Sequence, residues 1–137
     1  MAKQASPPRG RRPARVAAWC ALAKVSRIAC VLVENQSAQA PSLRTTWPIF
    51  TAELAAALSA CGEDRLTDQV ERLRIVEVCG CADDFCQSFY TGPKPTRAYG
   101  TGHRNVWLDA PWQGYLILDV VHDDIVYVEV LYRSPLH

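Results

Sequence analysis

Cys79, Cys81 and Cys86 fall within eight residues of one another, and they are the densest group of reactive side chains in the sequence. Three thiolates supply three of the four donors of a tetrahedral zinc shell. A neutral imidazole, from His103 in the loop that follows or from His122 further on, would complete it. Binding energy at such a structural site would be folding energy. Structural zinc sites more often use two pairs separated by two to four residues, so two other uses stay open. The thiols can be small apolar side chains packed in a core, or they can carry redox chemistry. The expectation for a cofactor is therefore none, or one zinc, with Cys79, Cys81, Cys86 and His103 as its ligands.

Other chemistry has less to build on. A thiol nucleophile needs a base in hydrogen-bond reach, and Cys86 with His103 is the one pair that offers it, so a thiol-dependent enzyme is kept as a further reading. The pairs Asp83-Asp84 and Asp123-Asp124 read as turn residues and solvated charge. Gly100-Thr101-Gly102 follows no strand-to-helix turn of a dinucleotide fingerprint and reads as loop punctuation. No catalytic residue is assigned. The remaining cysteines, Cys20, Cys30 and Cys61, do not suggest a disulfide framework, because a core is available without one and reduced thiols are expected.

The elements that must position these residues are readable from periodicity. Pro48 opens a helix with Phe50, Leu54, Ala57, Leu58 and Cys61 on one face, Thr51 available as a cap and Gly62 placed to end it. Asp64 caps a second helix with Leu66, Val70 and Leu73 as its stripe. From Arg74 the period changes to two, giving strands over 75–81 and 86–91, a turn at 82–85, a loop over 91–103, and a meander of strands at 105–109, 115–121 and 125–133. The fold class expected is α+β, a helix hairpin packed on an antiparallel sheet of about five strands. A three-residue loop, His122-Asp123-Asp124, sets Leu116, Leu118 and Val120 on the face of Val126, Val128 and Val130. A two-residue loop would instead bury Glu129. Asp119, Glu129 and Tyr127 then share the opposite face.

Charge divides the chain. Residues 1–46 hold eight basic side chains against Glu34 alone, a net +7, while the rest holds seven basic and thirteen acidic, a net −6. Residues 1–46 are expected to be a disordered or weakly helical basic extension, and 47–137 a single domain. The apolar run 16–33 contains Lys24 and Arg27, each costing roughly 2.5–3.5 kcal/mol at a helix centre, which argues against a transmembrane span. The same charges shorten the apolar segment below that of a secretion signal, despite the Ala38-Gln39-Ala40 triplet. A cytoplasmic domain follows as the expectation. Its acidic body has no footprint for a phosphate backbone, so neither nucleic acid nor membrane is an expected partner of the domain.

The segments Cys79-Gly80-Cys81, Asp84-Phe85-Cys86 with Phe89-Tyr90-Thr91, Gly102-His103-Arg104-Asn105-Val106, Leu118-Asp119-Val120-Val121 and Val128-Glu129-Val130-Leu131-Tyr132-Arg133 resemble a family of small uncharacterised bacterial proteins. The likeness spans roughly Phe50 to Arg133. It implies a bacterial cytosolic domain and carries over no catalytic residue.

The expectation that best accommodates the composition is a non-enzymatic protein-binding module. Its surface would be the acidic sheet face of Asp119, Tyr127 and Glu129, and its target another protein, of basic character. A zinc-binding domain is the alternative.

Overall fold

The structure, a computed structural model, describes residues 39–137. The expected extension lies mostly outside these residues. Its last part does not, and it belongs to the fold. Helix α1 (Leu43–Thr46) is preceded by a backbone bridge in which the Leu43 N–H donates to Leu73 O (2.9 Å) and the Ile75 N–H to Pro41 O (2.9 Å). Leu43 is fully buried. The expected boundary at residue 47 therefore falls too late, because a single apolar side chain in a polar stretch carries no periodicity that would reveal its burial.

Helix α2 (Pro48–Ala60) buries Phe50, Leu54 and Leu58 at the expected spacing. Proline at its first position needs no N–H partner there, and Thr51 does not cap: its hydroxyl donates back to Trp47 O at 2.8 Å. Gly62 ends the run in the left-handed region at φ +78°. Cys61, expected on the apolar face, is exposed. Helix α3 (Asp64–Val70) buries Leu66 and Val70.

The fold is α+β, with the helices preceding a five-stranded antiparallel sheet. Its strands are β1 (Glu77–Val78), β2 (Phe89–Tyr90), β3 (His103–Leu108), β4 (Tyr115–Val121) and β5 (Asp124–Leu131), in the order β1-β2-β5-β4-β3. Leu116, Leu118 and Val120 pair with Val130, Val128 and Ile125. Together with Phe89, Val106 and Leu108 they form one core with the buried faces of the helices.

The β4–β5 turn departs from expectation in an instructive way. Only His122 and Asp123 lie between the strands, both at positive φ (51° and 68°), as a type I′ hairpin requires. The register then shifts after Asp119, which pairs with Tyr127 while Val120 pairs with Ile125. Val126 is thus the extra residue of a β-bulge. The bulge corrects the parity that a two-residue loop alone would impose, so Leu118 faces Val128 and Glu129 stays off the core.

The first two strands are much shorter than the expected 75–81 and 86–91. Ser88 is one cause: its Oγ accepts the Val130 N–H at 3.0 Å, where a regular ladder would use a backbone carbonyl. Pairing continues raggedly beyond the named strands, through the Gln87 N–H to Val130 O (2.9 Å) and a bridge between Cys86 and Leu131.

Candidate metal centre

The ragged arm between β1 and β2 gathers the three cysteines. Cys79 is anchored just after β1 by its N–H to Ser88 O at 2.7 Å, and Cys86 is turned back by its N–H to Asp83 O at 3.2 Å. The three Sγ atoms lie within 4.8 Å of one another. A tetrahedral zinc with bonds of about 2.3 Å needs its sulfurs about 3.8 Å apart, so each pair has to close by about 1 Å at most. Strand alternation does not bring Cys79 and Cys81 together, since the strand ends at Val78. A local contact does, from the Cys81 backbone N–H to the Cys79 sulfur.

Hydrogen bonds shape the electrostatics of the cluster. The Cys81 N–H holds the Cys79 thiol below its ordinary range, against a smaller opposing effect of burial, and the Cys81 and Tyr127 side chains add to the lowering. Cys81 moves the other way, to about 11, chiefly because its side chain is hydrogen-bonded to Cys86. Neighbouring thiols share protons in this way because three adjacent thiolates repel one another without a cation. Around the sulfurs stand Ser88, whose Oγ lies 3.2 Å from Cys86 Sγ, and Tyr127, whose hydroxyl meets both Ser88 and Cys79. Burial raises the Tyr127 phenol, so it stays a protonated donor. Ser88 went unnoticed in the sequence. The signal was its place two residues after Cys86, which puts both on one face of an extended segment.

His103 does not join the cysteines. It lies on β3, the opposite edge of the sheet, four strand spacings or about 19 Å from β1. There its Nε2 meets Asp119 Oδ1 at 2.6 Å, and the same oxygen accepts from Asn105 Nδ2 at 2.6 Å. The proposed fourth ligand is thereby corrected, and the Cys86–His103 nucleophile and base pair fails for the same reason. His122 sits in the β4–β5 turn, beyond the far end of β5, whose first residue Asp124 is seven residues or about 24 Å along the strand from Leu131, the position opposite Cys86. Its ring packs where a side chain at Gly102 would stand. Separation in sequence could not have decided either case, because the meander returns residues 103 and 122 to the far side of the sheet.

Asp119, Tyr127 and Glu129 do share the face away from the helices, by the register of β4 and β5. Burial raises the Glu129 carboxyl, with Asp119 adding to the effect. The Tyr99 hydroxyl is buried without a hydrogen-bond partner, and burial together with the Asp119 charge pushes it up to about 12. Trp107, Tyr115 and Tyr132 are exposed, Trp107 to 68%. Among the described residues, no helix is long and apolar enough to cross a membrane. No protein-family model, no curated protein and no solved structure matches this chain.

Proposed function

We propose that this chain is a metal-binding domain in which Cys79, Cys81 and Cys86 hold one thiophilic ion, zinc in the first instance. The observation that carries the reading is the convergence of three Sγ atoms within 4.8 Å of one another. Thiolates select zinc and other soft ions over hard cations, and the surrounding donors of Cys81 and Tyr127 offset part of the negative charge of three sulfurs. The ion would organise the arm without being needed by the core. The apolar side chains of the core come from other positions, so chelation should loosen residues 79–86 and leave the sheet folded. The test is metal analysis of the purified chain, expected to give about one zinc per chain and near zero for Cys81→Ser. Metal-free parent protein that takes up no zinc when the ion is added back would rule it out.

A second reading is favoured by a different face. Glu129 stands half-buried beside Asp119 and Tyr127, and exposed aromatic side chains flank it, which suits a basic protein partner. Here the expected outcome is weaker capture of that partner by Glu129→Lys than by the parent chain. Equal capture would remove the reading.

A further inference from the structure

If the cysteines hold a divalent ion as proposed above, the chain's described residues supply three donors and stop there. Within the described residues, the ligand-bearing side chains that converge at the cluster are Cys79, Cys81 and Cys86 alone; neither Asp83 nor Asp84 brings a carboxylate into the group. His103 is held by Asp119. His137 Nδ1 lies 2.8 Å from Pro135 O, and the Cys61 thiol donates to Leu58 O at 3.3 Å. The hydroxyls of Ser88 and Tyr127 are hydrogen-bonded to the sulfurs rather than free to replace them. Cys81 is exposed, while Cys79 and Cys86 are half-buried, so the open side of the trio faces solvent. Three protein ligands and one exchangeable position is the arrangement of zinc sites that bind or activate something, whereas structural sites are closed by four.

We infer that the fourth coordination position of this centre is open to solvent and takes an exogenous neutral nitrogen donor of the imidazole type. Charge favours that class. Three thiolates around a divalent ion leave a net charge of −1, and Asp83 and Asp84 lie in the same turn. Lys94, beside β1 at the base of the same arm, is already paired with Glu77 at 3.5 Å. An anionic fourth ligand would bring the centre to −2 beside two carboxylates, while an imidazole adds no charge.

Cobalt(II) can stand in for zinc, which has no absorption of its own, and reports its ligands through visible bands. The experiment loads the full chain with cobalt and titrates it with imidazole. The visible bands should shift saturably while the thiolate-to-cobalt absorption, that of three sulfurs, stays constant, and Cys81→Ser, which should not retain the ion, should lose that absorption. Bands that stay fixed with cobalt still bound, absorption matching four thiolates, or imidazole that merely strips the metal would each overturn the open position and leave metal binding standing. A chain that retains neither cobalt nor zinc overturns the metal reading itself.

Discussion

The two ends of one sheet are built on different terms. Strands β3, β4 and β5 pair over six to eight residues each and bury an aliphatic face under α2 and α3. The β1–β2 arm pairs over two residues a side and concentrates its interactions in thiols and hydroxyls. Burial of apolar area stabilises the first region at all times, whereas the named strands of the second contribute Phe89 alone to the core and its thiols depend on what they bind. The metal site proposed at the frayed edge would therefore be filled or emptied with little consequence for the core.

That comparison is broken most severely by core substitution. Leu118→Ala removes a fully buried side chain at the centre of the meander and should cost about 4 kcal/mol in a denaturant titration, whereas Cys81→Ser in metal-free protein should cost under about 0.5 kcal/mol. Equal costs would mean that the arm is part of the core. Leu43→Ala comes next, at about 3 kcal/mol. A neutral result there would show that the segment before Trp47 is dispensable after all. Arg133→Ala follows, at about 2 kcal/mol. Its guanidinium is nearly buried, bonded to Glu53 at 2.5 Å, and lies 5.8 and 5.2 Å from the ring centroids of Phe50 and Trp112. Glu53 keeps some water, which holds the loss below that of a fully buried pair. Arg133→Lys should recover only part of it.

The smallest effect concerns Glu129. Its carboxyl is raised above 4.5 in the folded chain, by burial first and Asp119 second. The native state thus holds its proton to higher pH than the unfolded state does, and stability falls as pH rises from 4.5 through the raised value. Glu129→Gln should remove that slope and stabilise the protein at neutral pH, by under about 1 kcal/mol because the group is only half-buried and water screens it. Unfolding midpoints measured across pH 4 to 7 would check the sign, and a steeper slope in the variant would reverse the assignment.

How legible each region was in the sequence follows from the same division. The helices and the meander announce themselves by spacing, as at Phe50, Leu54 and Leu58, or at Leu116, Leu118 and Val120, because burial on one face selects residue types at a fixed period. The cysteine trio was legible because its members are close in the chain. What escaped depended on long-range return or on single side chains. His103 was placed with the cysteines although the sheet order carries it to the other edge. The bulge at Val126 was invisible because polarity fixes which residues share a face and not how the turn achieves it. Leu43 was missed for want of any neighbour in register with it.

A metal-organised arm attached to a core that needs no metal, as proposed, is tested most directly by amide hydrogen exchange with and without zinc. Zinc should slow exchange at residues 76–88 and leave β3, β4 and β5 unchanged. Protection spread evenly over the sheet, or no change in the arm at a zinc concentration that saturates metal-binding proteins, would contradict it.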